Sequence, residues 1–129
     1  MITTGMKNII MAEREESSRE MPLVLIESPF AGDVETNIKF ARACMRDSLD
    51  RGEAPFAPHL LYTQEEILDD DIPEERNWGI GAGLAWGKRA SKTIVYTNLG
   101  ITGGMEIGIQ RAIEEGRDVE YRELDTWIP

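Results

Sequence analysis

A glutamate that directly follows a glycine-bearing turn is the residue of this 129-residue chain whose setting most suggests chemistry. The β-branched and aromatic run Thr93–Tyr96 predicts a buried strand, and Met105 and Ala112 recur at helical spacing after it. Between them, the turn Gly100–Gly104 would gather free backbone N–H groups at the positive end of the helix dipole. Glu106 in the first helical turn would be held ionised and directed at this loop. A purely structural role is the alternative, because acidic residues offset the dipole in the first turn of any helix.

The run Gly104–Gly108, placed after a hydrophobic strand, resembles the signature of the nucleoside 2-deoxyribosyltransferase-like superfamily. The resemblance extends to the first strand and its loop, Leu23–Asp33, and covers most of the chain after Met21. In that family the glutamate attacks the anomeric carbon of a nucleoside, so the resemblance implies that Glu106 is the catalytic nucleophile. The stretch from Ser28 to Arg122 is also similar to small phage-encoded proteins of unassigned activity.

The activity implied by this resemblance is that of a nucleoside or nucleoside-monophosphate N-glycosidase or 2-deoxyribosyltransferase. Glu106 would displace the base from C1′ and form a glycosyl-enzyme, which water or a second base would resolve. The family places an aspartate shortly before its glutamate, whereas the loop Asn98–Thr102 holds no acid. Two alternatives therefore stay open: a non-catalytic nucleotide-binding protein, such as a phage factor that sequesters a metabolite or signal, and an interaction protein. No cofactor is implied.

The remaining candidates for binding a nucleoside or nucleotide lie in loops that follow predicted strands, where open parallel sheets bind ligands. They are Ser28, Pro29, Phe30, Gly32, Asp33, Asn37, His59, Asn98, Gly103, Gly104 and Met105. Structural roles are open for several of them, since Ser28 and Pro29 are turn formers and Asp33 is a good helix N-cap. No metal-ligand constellation accompanies His59, the single histidine, so we expect no metal site.

Strand and helix patterns alternate along the chain and predict an α/β domain over residues 22–129, preceded by a flexible N-terminal extension over residues 1–21. The predicted strands are Leu23–Glu27, Ala54–Ala57, Thr93–Tyr96 and Asp118–Leu124, and the predicted helices are Val34–Arg51, Glu74–Lys88 and one from about Met105. Capping-box spacing at Thr63 indicates a further short helix. The fold class expected from this order is a three-layer flavodoxin- or Rossmann-like domain with four parallel strands.

The helix that contains Trp78–Trp86 is unusually rich in glycine, although each glycine costs up to about 1 kcal/mol relative to alanine in a helix. Close tertiary contacts must offset that cost. We expect one side of this helix to pack on the sheet and the other side, with its two tryptophans, to contact a neighbouring subunit. The sequence thus predicts a homo-oligomer, either a dimer or a larger assembly.

Composition restricts the partners further. The chain carries 14 Lys and Arg against 24 Asp and Glu, for a net charge of −10, which disfavours nucleic-acid polymers and anionic membranes. A single mononucleotide is still compatible, because backbone N–H groups alone can hold its phosphate. The lone Cys44 excludes an intramolecular disulfide and fits a reducing compartment, so we expect a cytoplasmic protein, in the host cytoplasm if phage-encoded. No apolar run approaches the length of a membrane span.

Overall fold

Strands and helices alternate along the part of the chain that the computed structural model describes, which is Gly5 and residues 20–129. The strands are β1 (Leu23–Glu27), β2 (Ala54–Phe56), β3 (Lys92–Tyr96) and β4 (Asp118–Arg122). The helices that follow them are α1 (Val34–Asp50), α2 (Pro58–Leu61), α3 (Pro73–Gly87) and α4 (Gly103–Glu114). The predicted flexible extension at residues 1–21 falls mostly on residues 1–4 and 6–19, which lie outside the described residues.

The four strands form one parallel sheet in the order β2-β1-β3-β4, which confirms the predicted flavodoxin-like α/β class. Strand β1 is central, and Leu25 lies opposite Phe56 on β2 and Thr93 on β3. Successive side chains of a strand point to opposite faces. Val24 and Ile26 therefore face helix α1, whereas Leu25 and Glu27 face the layer of α3 and α4.

The hydrophobic core lies between the sheet and helix α1. Phe40 and Cys44 of α1 are fully buried against Val24, Ile26 and neighbouring strand residues. The ring of Trp127 in the C-terminal tail packs edge-on against Phe40, with ring centroids 4.8 Å apart. Burial raises the pKa of the Cys44 thiol, which therefore stays protonated. Cys44 is a packing residue, as its position on the helix predicts.

The short helix in the middle of the chain differs from the prediction. It spans Pro58–Leu61 and does not begin at Thr63, so the helix predicted there is wrong. Pro58 occupies its first turn, where the fixed φ of proline suits a helix and a missing N–H is harmless. The Thr63 hydroxyl donates instead to the carbonyl oxygen of His59. This hydrogen bond connects Thr63, in the segment after α2, to His59 within α2.

Three glycines on one face of α3 allow that helix to approach the rest of the molecule closely. A Cβ at Gly83 would lie 2.7 Å from Cβ of Pro58, and one at Gly87 would lie 3.1 Å from Cδ2 of Leu25. A Cβ at Gly79 would lie 3.3 Å from Cδ1 of Leu68. By contrast, a Cβ at Gly81 would meet nothing within 4 Å. The expected packing of this helix against the sheet side is therefore present, and its closest point is the contact with α2.

We predict opposite effects for the same substitution at two glycines of α3. Gly83→Ala should lower the free energy of unfolding by roughly 1–2 kcal/mol, because overlap with Pro58 outweighs the gain in helix propensity. Gly81→Ala is the matched control and should raise it by up to about 1 kcal/mol, since its Cβ enters open space. Urea unfolding of both variants measures the difference. Equal stabilisation by the two substitutions would contradict a close contact at Gly83.

A buried ion pair joins Glu53, the residue before β2, to Arg122 at the end of β4. Arg122 donates two hydrogen bonds of 2.7 Å each to the two carboxylate oxygens of Glu53, and the Ser48 hydroxyl donates a third of 2.8 Å. Glu53 is 5% exposed and Arg122 is 8% exposed. The hydrogen bonds from Arg122 hold the pKa of Glu53 at about 2, although burial alone would raise it. Both charged groups therefore have hydrogen-bond partners, which buried charges need in order to be stable.

Removing the Glu53 charge should destabilise the protein in a pH-dependent way. Glu53→Gln should lower the free energy of unfolding at neutral pH by roughly 3 kcal/mol, because Arg122 stays buried and loses its buried counter-charge, keeping only the more exposed Glu120. The folded pKa of Glu53 is depressed, so the wild type gains this stability above about pH 4.5 and loses it as the pH falls toward about 2. Urea unfolding across this range should show the difference in free energy of unfolding between wild type and Glu53→Gln becoming smaller as the pH falls, with the exposed Glu123→Gln as control. A difference that stays constant in acid would contradict the stabilising role of the ionised Glu53.

Candidate functional site

A cavity of about 520 Å³ opens at the carboxyl ends of the central strands β1 and β3, where the strand order reverses. Strand β1 leads toward β2 on one side, and its neighbour β3 leads toward β4 on the other. Open α/β sheets bind ligands in the crevice that this reversal leaves at the carboxyl ends of the strands. The cavity walls come from the end of β1 and its loop, from α2, from one face of α3 and from the start of α4.

Six of the residues selected from the sequence line this cavity. They are Ser28, Phe30, His59, Gly103, Gly104 and Met105. Although 31 residues separate Ser28 from His59, the serine hydroxyl and the imidazole Nε2 share a hydrogen bond of 2.7 Å. Burial lowers the pKa of His59 to about 4, so the imidazole is neutral at physiological pH. The fold thus brings the loop after β1 and helix α2 together at one polar point in the cavity wall.

Several other selected residues have structural roles at the rim, and Pro29, Gly32, Asp33 and Asn37 do not line the cavity. The Asn37 amide donates to the carbonyl oxygens of Phe30 at 2.8 Å and Ala31 at 3.1 Å, which holds the loop after β1 in place. Asp33 caps α1 by accepting from the backbone N–H of Thr36. Gly32 turns the chain with φ +101, a value that favours glycine, and Pro29 is buried within the same loop.

Asn98 is also placed away from the cavity. Its side-chain amide donates to the carbonyl oxygen of Leu124 at 2.9 Å, and its oxygen accepts from the N–H of Leu124 at 2.8 Å. Both polar atoms of the side chain are therefore occupied by the C-terminal tail. This pairing gives Asn98 a structural role in place of the predicted ligand contact.

Glu106 does not line the cavity. The side chain is exposed and borders a separate shallow groove on the outer side of α4, together with Gln110 and Arg111. Each helical residue advances by about 100°, which places Glu106 roughly 160° around the helix from Gly108. Gly108 and Met105 form the inward side of α4. The helix does begin at the glycine turn as predicted, but it presents a different face to the ligand site.

In the part of the chain that the structure describes, three acids line the cavity, namely Glu27, Asp70 and Glu75, and Glu27 is the one that comes from the sheet, as the last residue of β1. Its carboxyl group lies over Gly108 of α4, where an added Cβ would come within 2.6 Å of Glu27 Cδ. Burial raises the pKa of Glu27 to about 8, partly countered by the positive charge of Arg117. The signal for Glu27 in the sequence is an acidic residue at the end of an otherwise apolar strand.

Arg76 is the only lysine or arginine among the described residues that line the cavity. Its guanidinium donates to Asp70 at 2.9 Å and also lies near the start of α4, where a Cβ at Gly104 would be 3.6 Å from Nη2. Thr102 caps that helix by accepting from the N–H of Met105 at 3.3 Å. No group of three His, Cys, Asp or Glu within the described part of the chain is placed to hold a metal ion.

Most of the cavity wall is apolar, with a few polar groups at defined points. Ile80 and Leu84 of α3 and Met105 of α4 supply apolar surface, and Glu27 and the Ser28–His59 pair supply hydrogen-bonding groups. Cavities of this size and character are typical of small-molecule sites. Among the described helices, none is both long and apolar enough to cross a membrane.

The sheet order and the cavity at its reversal point define the chain as a flavodoxin-like α/β domain with a site suited to a small ligand. The chain belongs to the family described as domain of unknown function DUF7768, whose model matches residues 22–122. No curated protein matches it significantly.

One solved structure is similar over most of the chain. It is a 2-deoxyribosyltransferase from the psychrotolerant bacterium Bacillus psychrosaccharolyticus, characterised as a biocatalyst for the synthesis of nucleosides. The match has a TM-score of 0.57 at 18% sequence identity and covers 83% of this chain and 76% of the other. At this identity the two proteins share a fold, and the likeness is a distant one.

Proposed function

We propose that this protein binds a nucleoside or nucleoside monophosphate in the cavity at the carboxyl ends of β1 and β3. The observation that carries the proposal is the cavity itself, which is ligand-sized, mostly apolar and placed where open parallel sheets bind ligands. The distant structural likeness to a 2-deoxyribosyltransferase supports a nucleoside as the ligand class.

The chemistry of the cavity wall matches the two halves of such a ligand. A base is a flat apolar ring with polar edges, and Phe30, Leu84 and Met105 offer apolar surface for its faces. The sugar carries hydroxyl groups, which the Ser28–His59 pair is placed to meet. A 5′-phosphate would suit the start of α4, where Arg76 supplies positive charge beside the first helical N–H groups.

Transfer or hydrolysis of the glycosidic bond is the second candidate function, and the activity of the structural neighbour favours it. In the form that the sequence suggested, Glu106 attacks C1′ and the base departs. That side chain borders the outer groove and is not part of the cavity wall, although Gly103 and Ile107 line both. Because Glu106 does not line the cavity, we place binding ahead of this reaction.

Incubation with nucleosides distinguishes the two functions. The probes are the four deoxynucleosides, the four ribonucleosides and their 5′-monophosphates, supplied with a second free base as acceptor. We expect wild-type protein and Glu106→Gln to retain the same probe through gel filtration with equal affinity, because Glu106 lies outside the cavity. Chromatography of the mixture should show no free base. Base release by the wild type that Glu106→Gln abolishes would instead establish the glycosidic reaction. If the wild type neither retained a probe nor released a base, both functions would be refuted.

The outer side of α3 supports the proposal of a homodimer. Trp78 is 70% exposed and Trp86 is 58% exposed, although the ring of Trp86 also packs against Phe56 at 5.6 Å. Acidic Glu74 and Glu75 begin this helix, and Lys88 and Arg89 follow its end. A two-fold axis across α3 would set the acidic end of each helix against the basic end of its copy. Charge pairing and burial of the tryptophans thus favour a second copy of this chain as the occupant.

Substitution of the more exposed tryptophan tests the dimer. Wild-type protein should sediment as a dimer, and Trp78→Glu should sediment as a monomer, because the new charge would be buried at the two-fold contact. Ile128→Glu changes a residue that is 81% exposed in the C-terminal tail and should leave the dimer intact. Analytical ultracentrifugation of the three proteins at equal concentration measures this. A monomeric wild type, or a dimer that tolerates Trp78→Glu, would contradict the assignment.

A further inference from the structure

Glu27 is an acid in the cavity wall that makes no side-chain hydrogen bond within the described part of the chain. Among residues 20–129, no side chain or backbone N–H donates a hydrogen bond to its carboxyl group. Arg117, the cation whose charge acts on Glu27, makes its hydrogen bonds elsewhere. It donates to Thr93 Oγ1 at 3.0 Å and to Glu115 at 2.8 Å, and its buried Nη2 has no partner among the described residues. A polar group in a partly apolar cavity is unfavourable unless a hydrogen bond compensates it.

The helix opposite Glu27 makes room for this carboxyl group. Position 108 is on the inward side of α4, and any side chain there would overlap the Glu27 carboxyl oxygens. Glycine within a helix costs up to about 1 kcal/mol relative to alanine. The vacancy above Gly108 holds the carboxyl group beside the ligand space, within reach of a molecule in the cavity.

We propose that Glu27 recognises the base of the bound nucleoside through a pair of hydrogen bonds from its carboxyl group. This inference rests on the proposed function and names the residue that reads the ligand. An un-ionised carboxyl has an O–H donor beside a C=O acceptor. The matching ligand edge has a ring nitrogen or carbonyl acceptor beside an N–H donor, as the amidine edge of adenine or cytosine does.

The surroundings of Glu27 favour the un-ionised form. Its pKa of about 8 leaves the carboxyl group mostly protonated at neutral pH. The charged and titratable groups around Glu27 and the cavity are Arg117 after α4, His59 on α2, Tyr62 after α2, Asp70 before α3, and Glu75 and Arg76 on α3. His59 is neutral, and Arg76 is paired with Asp70. The carboxyl group therefore has a hydrogen to donate when the ligand arrives.

Calorimetric binding of deoxyadenosine and deoxycytidine to wild-type protein, Glu27→Gln and Glu27→Ala tests the inference. Glutamine retains a donor beside an acceptor, so Glu27→Gln should bind within about threefold of the wild type at neutral pH. Glu27→Ala should bind roughly tenfold more weakly, since it loses the hydrogen bonds. Glu123→Gln is the matched control and should bind as the wild type does, because Glu123 is exposed and does not line the cavity.

The pH profile gives a readout that a structural role would not move. Wild-type affinity for deoxyadenosine should fall about tenfold between about pH 7 and pH 9 as the carboxyl group ionises, whereas Glu27→Gln should show no such fall. Gly108→Ala is a second variant, in which the added methyl displaces the Glu27 carboxyl group. It should weaken binding in the presence of Glu27 and have little further effect when combined with Glu27→Ala.

The outcomes separate this inference from the proposed function. Nucleoside binding that is equal in wild type and Glu27→Ala would overturn the role of Glu27 and leave the binding function standing. Affinity that rises with pH, together with a loss in Glu27→Gln as large as in Glu27→Ala, would overturn the un-ionised donor. Absence of binding by the wild type to every probe would overturn the proposed function and this inference with it.

Discussion

The parallel pairing of β1 with β3 is the interaction on which the rest of the structure depends. It places β1 at the centre of the sheet with both faces covered, so its alternating side chains serve two separate layers. Val24 and Ile26 build the core with α1, while Leu25 and Glu27 reach the opposite layer. The same pairing creates the reversal point where the cavity opens. One strand of five residues thus contributes to both the stability of the domain and its candidate site.

Stability and ligand chemistry are divided between the two faces of the sheet. On the α1 face, the charges of Glu53 and Arg122 neutralise each other with full hydrogen bonding. On the other face, the polar groups of Glu27, Ser28 and His59 border an open cavity. Ser28 and His59 are hydrogen-bonded to each other, whereas no residue in the described part of the chain donates to Glu27. Buried polar groups that are paired within the protein support the fold, and one without a partner beside a cavity is open to a ligand. Glu53, just before β2, and Glu27, at the end of β1, show this division: the first is paired with Arg122, and the second lines the cavity.

Local patterns predicted the fold well and the site in part. Apolar runs, glycine stops and helical periodicity were sufficient for the order of strands and helices, because each depends on neighbouring residues. The roles of Asn37 and Asn98 depend on backbone groups that folding brings close, with partners as far as 26 residues away. The phase of α4 determined which side chain entered the cavity, and the sequence motif around Glu106 does not specify that phase. Glu27 was hidden because a continuous apolar run does not show which face its last residue joins.

The contact between Gly83 and Pro58 has a consequence for the thermodynamics of binding. It locks α3 against α2, and these two helices form one wall of the cavity and position His59. A wall that is rigid before binding loses little conformational entropy when a ligand binds. For the nucleoside binding that we propose, recognition would then rely on preorganisation, with the shape of the site selecting the ligand in place of a closing movement.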